Sequence, residues 1–260
     1  MIETDFNSEE FLLVNLMEAH TPHYPPDGYR TIHEEINFKI GDVFAGDVTE
    51  GDRNRKAYDD SAAYLSDVYR DIFNILTDEF DYVVTLSDHG DMLEEHEMWN
   101  HGYGIYPELA HVPMVISGDS IEGRSVDRTV SLIDVPQTIA EMTGVEFSNR
   151  GVDLLSDSNG QDYLIEYHGL LPWHRDQFRR KGVESLYDEL DRPLRGIALE
   201  SGDYMYQTDD EYVSTEGTVT DRKVEELNSL TEEIPERSVE SDSGSVGSDG
   251  EERLKNLSYA

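Results

Sequence analysis

Apolar residues come in short runs between long polar stretches, and their spacing predicts both strands and helices. Residues 11–17 (FLLVNLM) are a dense apolar run that reads as a buried strand. That strand feeds a loop stiffened by Pro22, Pro25 and Pro26. Residues 41–55 are polar and rich in Gly and Asp, so a loop is expected there. Ala62, Leu65, Tyr69, Ile72, Phe73 and Leu76 then fall on one face at helical spacing. Residues 82–86 (YVVTL) read as a strand buried on both faces, and residues 112–116 (VPMVI) as another. Asp134 is placed to cap a short helix, with Pro136 in its first turn and Val135, Ile139 and Met142 inward. This succession predicts an α/β layer with a mixed or parallel sheet.

The pattern changes after about residue 156. Residues 163–167 read as a strand, and residues 196–200 and 204–208 flank Ser201-Gly202-Asp203 as a hairpin. A small antiparallel α+β subdomain over 156–237 is therefore expected. Residues 238–250 contain only Ser, Gly, Asp and Glu besides two Val, the composition of an acidic disordered linker. Residues 251–259 have room for a short terminal helix. No internal repeat is visible.

Charge changes this picture more than hydrophobicity does. The 260 residues are 37% hydrophobic, enough for a core, but 57 acidic side chains face 20 basic ones for a net charge of -37. Such a chain repels nucleic acids and anionic membranes. At molar salt the Debye length falls to about 3 Å and self-repulsion is screened. Acidity spread along the whole chain, with arginine far above lysine, predicts adaptation to a salt-rich cytoplasm; an ordinary acidic protein is the alternative. With no cysteine, disulfides, thiolate catalysis and Cys–zinc sites are excluded. No run approaches the roughly 18 apolar residues of a membrane span. The first residues, MIETD, lack a signal-peptide pattern, so a cytoplasmic location is expected.

Three segments carry candidate chemistry. Thr85-Leu86-Ser87-Asp88-His89-Gly90-Asp91 ends a predicted strand in Asp-His-Gly. Ligands of open α/β sheets sit beyond strand carboxyl ends, where Asp88 and His89 can converge on one divalent metal. The same residues also make a plain turn. His20, in Glu18-Ala19-His20-Thr21-Pro22, follows another predicted strand and can hydrogen-bond an oxyanion, or be an ordinary surface donor. His96-Glu97-Met98-Trp99-Asn100-His101 looks like a zinc-protease box, but its second histidine comes one residue too late. On a helix the two rings would diverge, and the protease reading fails.

Taken in order, these segments resemble the sulfatase family of the alkaline-phosphatase-like superfamily. Residues 11–26 are similar to its strand and His-Thr-Pro loop. Residues 81–116 are similar to its Ser-Asp-His-Gly turn, Glu-His-x-x-Trp segment and Val-Pro strand. Residues 130–155 are similar to its closing helix and Gly-x-x-Leu-Leu ending, here Gly151-Val152-Asp153-Leu154-Leu155. Residues 253–257 echo the family's C-terminal end. The resemblance implies a partial alkaline-phosphatase-like sandwich over residues 1–155, the C-terminal part of a catalytic domain, with residues 238–260 as linker and terminal helix. It implies that Asp88 and His89 are metal ligands, for Ca2+ first, with Mg2+ or Mn2+ as alternatives. It implies that His20 and His101 are catalytic residues that contact the sulfate ester. The family often has a lysine where His101 stands, so charge at this position depends on pH. Trp99 and Tyr106 read as packing residues.

A departure is larger than these matches. Sulfatases use a formylglycine made from a Cys/Ser-x-Pro-x-Arg motif, together with two N-terminal aspartates on the metal. Here the only x-Pro-x-Arg stretches surround Pro193 and Pro235, preceded by Asp191 and Glu233, which cannot become an aldehyde hydrate. The expectation is a sulfatase-like half-enzyme, inactive alone and binding metal weakly, formed by a gene break or misplaced start. A separate chain carrying the missing half is the partner this implies. A phosphoesterase or phosphonate hydrolase of the same superfamily and a non-catalytic remnant are the alternatives.

Overall fold

A computed structural model describes residues 10–156, 160–208 and 211–234. The chain first forms a one-turn helix α1 (Ile40–Phe44) and a long helix α2 (Gly51–Glu79). Strand β1 (Tyr82–Leu86), a small β2–β3 ladder (Met92–Leu93 with Trp99–Asn100), a turn of helix α3 (Pro107–Ala110), strand β4 (Met114–Gly118) and helix α4 (Asp134–Thr143) follow.

Helix α2 begins well before the apolar stripe that predicted it, inside the stretch expected to be a loop. Its buried N-terminal residues are Asn54, Ala57, Asp60 and Ser61, small or polar side chains that a hydrophobic count passes over. Arg55 pairs with Asp52 at 2.9 Å and Lys56 with Asp60 at 2.9 Å, spacings of three and four that support a helix. Asp60 also accepts the Thr31 backbone N–H at 2.6 Å and its hydroxyl at 2.7 Å, tying the proline loop to the helix.

Strands β1 and β4 pair antiparallel, with Val84 opposite Ile116. The expected mixed or parallel sheet is not found among the described residues, where every strand ladder is antiparallel. The chain turns back through residues 87–113 rather than crossing over the sheet, and parallel pairing needs such a crossover. Tyr69 on α2 hydrogen-bonds Thr85 at 2.9 Å, so the helix covers one face of this ribbon. Burial of β1 on both faces does not occur: Val83 is buried, but Leu86 and Val115 are exposed. The strand expected at residues 11–17 is absent as well. The segment has no regular secondary structure, pairs with no ladder among the described residues, and leaves Phe11 75% and Leu13 81% exposed. Apolar content alone does not make a strand without a neighbouring edge to pair with.

The later part is a four-stranded antiparallel sheet in the order β5 (Tyr163–Tyr167), β6 (Leu194–Ala198), β7 (Tyr204–Gln207), β8 (Tyr212–Ser214). Helix α7 (Asp221–Glu233) covers one face through Leu227, which packs with Ile197 and Met205. Helices α5 (His174–Lys181) and α6 (Glu184–Leu190) contribute Phe178 and Tyr187 to a second core with Leu194 and Tyr206. Ile40, Tyr103 and Ile105 join that same core, so side chains from both sides of residue 155 pack together. The expected linker at 238–250 and terminal helix at 251–259 lie outside the described residues.

Candidate metal-binding site

The site grows from the end of β1. Ser87 donates its hydroxyl to the His89 carbonyl at 2.7 Å, and Gly90 N–H donates to the Leu109 carbonyl at 3.0 Å, which holds the turn against α3. A Cβ on Gly90 would lie 2.0 Å from the Glu108 carbonyl oxygen, so only glycine permits this approach. The turn sends Asp88 outward, with a side chain 76% exposed. Its Oδ1 accepts the His89 backbone N–H at 3.0 Å and lies 3.8 Å from His89 Nε2.

Three imidazoles gather beside it. The His89 and His101 rings lie 4.0 Å apart between centroids, and the His20 and His101 rings 5.6 Å. His20 comes from the loop after residue 17, where its backbone N–H bonds the Met17 carbonyl at 3.0 Å. His101 follows β3. The four residues singled out in the sequence, His20, Asp88, His89 and His101, thus stand in one neighbourhood.

Each ring has its Nδ1 facing an oxygen: Thr21 O at 2.6 Å for His20, Gly90 O at 2.9 Å for His89, and Asp91 Oδ1 at 2.6 Å for His101. Carbonyls and carboxylates only accept, so each Nδ1 carries the proton. The neutral rings therefore present a lone pair at Nε2, suited to a metal. They donate a hydrogen bond from Nε2 only when doubly protonated.

Sequence reasoning missed three further residues here. Asp91 lies two positions past His89 and looked like part of the turn; its half-buried carboxylate fixes the tautomer and orientation of His101. His23 is 5% exposed, with no hydrogen-bond partner for Nδ1 among the described residues. Burial pushes its pKa below the usual value, Asp91 pulls it back up, and His20 pushes it down. His174 is lowered too, by burial and then by the charge of His101. No sequence signal links it to the earlier segments. His96 stacks on Tyr106 at 4.5 Å and lies 3.4 Å from Glu108, so it and His101 have separate partners. Its φ of 52° lies outside the helix on which a zinc-protease box depends. Trp99 is buried, and Tyr106 packs against the core.

The donors fit a divalent ion. His89, Asp91 and His101 each offer one ligand atom, all within 4.8 Å of one another, and Asp88 adds an oxygen beside His89. The sulfatase family profile matches residues 1–145, more than half of the chain. The chain belongs to the sulfatase family. This sulfatase chain is 22% identical over 209 residues to an uncharacterized sulfatase, YidJ, of Escherichia coli (strain K12), covering 66% of the chain and 42% of that relative. It is 30% identical over 136 residues to the choline-sulfatase of Rhizobium meliloti (strain 1021), covering 46% and 26% respectively. Arylsulfatase K of Xenopus laevis is 36% identical over 66 residues, 25% of this chain and 12% of that relative. The chain therefore spans less than half the length of these curated relatives. Among the described residues, no helix is long and apolar enough to cross a membrane.

Proposed function

We propose that this chain carries the C-terminal share of a sulfuric ester hydrolase site and is inactive by itself. Family membership supports the reaction class, and the meeting of His20, His89 and His101 is the observation that carries the reading. In it, Asp88 and His89 hold a divalent ion, Ca2+ first, with Mg2+ or Mn2+ as alternatives. When bound, that ion supplies charge neutralisation at the sulfate oxygens. His20 and His101 bind the sulfate ester through Nε2. Both must be doubly protonated to donate there, because each Nδ1–H is committed to Thr21 or Asp91. Doubly protonated, they also serve as proton donors to the leaving oxygen.

The sequence has no Cys and no Ser-x-Pro-x-Arg, so a second chain bearing Cys-x-Pro-x-Arg would supply the formylglycine and the remaining metal ligands. Residues 1–155 then belong to the catalytic domain, and residues 156–237 form a smaller unit packed against it through the shared core. The substrate is an anionic sulfate ester. The net charge of -37 supports a cytoplasmic protein of a salt-rich cell that binds neither nucleic acid nor membrane.

The test is to co-express the chain with an adjacently encoded Cys-x-Pro-x-Arg polypeptide and compare an aryl sulfate with the matching aryl phosphate. Preferential sulfate turnover is expected. Preferential phosphate turnover would favour the phosphoesterase reading of the same superfamily.

A further inference from the structure

The pair Asp88–His89 is not the only way this chain can hold a metal. His101 donates its Nδ1–H to Asp91 Oδ1 at 2.6 Å, and with His89 these residues bring three ligand atoms within 4.8 Å of one another. Asp91 is 16% exposed on its side chain and pairs with no lysine or arginine among the described residues. His89 has its Nδ1–H held by the Gly90 carbonyl, which fixes the ring with Nε2 free, the usual support of a metal-bound histidine. The backbone around these donors is fixed too, since Gly90 is pinned to α3.

We propose that His89, Asp91 and His101 form a site for a first-row transition ion, Zn2+ foremost, which the chain binds without any second polypeptide. Two imidazole nitrogens and one carboxylate oxygen are a donor set for Zn2+, whereas Ca2+ asks for six to eight oxygens. The ion replaces the proton between His101 Nδ1 and Asp91 Oδ1, and one proton is released to solvent. The two donors then move apart from 2.6 Å to about 3 Å, as nitrogen and oxygen do around a tetrahedral zinc. A fourth position stays open to water. His89 is common to this site and to the Asp88 pair, so the two cannot be filled together. Zinc would also take His101 away from the sulfate ester. The inference is independent of the hydrolase reading, since it needs neither nucleophile nor substrate.

The experiment uses the full 260-residue chain, stripped of metal, in molar KCl to screen the acidic surface. Zn2+ and Ca2+ are titrated separately against a chromophoric chelator. One equivalent of Zn2+ is expected to bind at least 100-fold more tightly than Ca2+. Asp91→Asn and His101→Gln are each expected to weaken Zn2+ at least tenfold, and Asp88→Asn by less than threefold. Co2+ bound to the unmodified chain provides a second readout that needs no variant. Intense visible absorption is expected from a four- or five-coordinate nitrogen-containing site, and weak absorption from an octahedral oxygen site. Equal affinity for the two ions, a weak octahedral Co2+ spectrum, or zinc binding lost in Asp88→Asn but kept in Asp91→Asn would each overturn the proposal. Loss of sulfate turnover in the co-expressed pair would bear only on the hydrolase reading.

Discussion

Asp60 shows how one buried carboxylate positions a site it never touches. It joins Lys56 on its own helix to Thr31 in the loop that carries His20 and His23. Burial works to raise its pKa, but hydrogen bonds from Thr31 and Lys56 outweigh that effect and hold it at about 2. Its folded value lies below the ordinary 3.8, so its contribution is complete above about pH 4 and is lost as pH falls through about 2. Asp60→Ala removes the acceptor of the Thr31 N–H and hydroxyl and the partner of Lys56, and is expected to cost about 1–2 kcal/mol in urea unfolding at pH 7. His23 and His174 work in the opposite pH range. Burial keeps both rings neutral in the folded chain, with pKa values below 6.5. Below pH 6.5 the unfolded chain takes up more protons than the folded one, so stability falls as pH drops through that value and levels off beneath the folded pKa values. Melting curves between pH 8 and pH 5 check this, and His23→Gln should flatten part of the slope.

Elements were legible where period and pairing agreed. Residues 82–86 form β1 as their β-branched run predicted, and β6 and β7 turn back at Ser201-Gly202-Asp203. The start of α2 was not legible, because Asn54, Asp60 and Ser61 are buried there through hydrogen bonding and close packing rather than apolar area. Helix α5 hid for a related reason: Phe178 is its one buried residue among seven polar ones. The motif segments pointed to His20, Asp88 and His89, which stand just past predicted strands, while His101 was singled out only by the resemblance of its segment to the family. Asp91 and His174 reach the same neighbourhood through tertiary packing that leaves no local trace. The 11–17 segment erred the other way, with an apolar run that lacks the pairing a strand needs. Its side chains already face solvent, so Phe11→Ser with Leu13→Ser should leave the melting temperature within about 1 °C, as expected of surface substitutions. The same pair of changes should reduce light scattering at high protein concentration.

At the scale of the whole molecule, charge dominates. A net charge of -37 over 260 residues opposes compaction until salt screens it, so the melting temperature should rise steadily from dilute buffer to molar KCl. A flat or falling curve would remove the basis for a salt-adapted protein. Leu86 and Val115 are exposed on opposite faces of the β1–β4 ribbon, and Leu86 leads directly into the turn that holds Asp88 and His89. The most direct measurement is aryl sulfate turnover by the chain alone, by the co-expressed pair, and by the pair carrying Asp88→Asn. The account predicts no detectable turnover for the chain alone, turnover by the pair, and at least a 100-fold loss with Asp88→Asn. Turnover by the isolated chain, or a pair indifferent to Asp88→Asn, would contradict it.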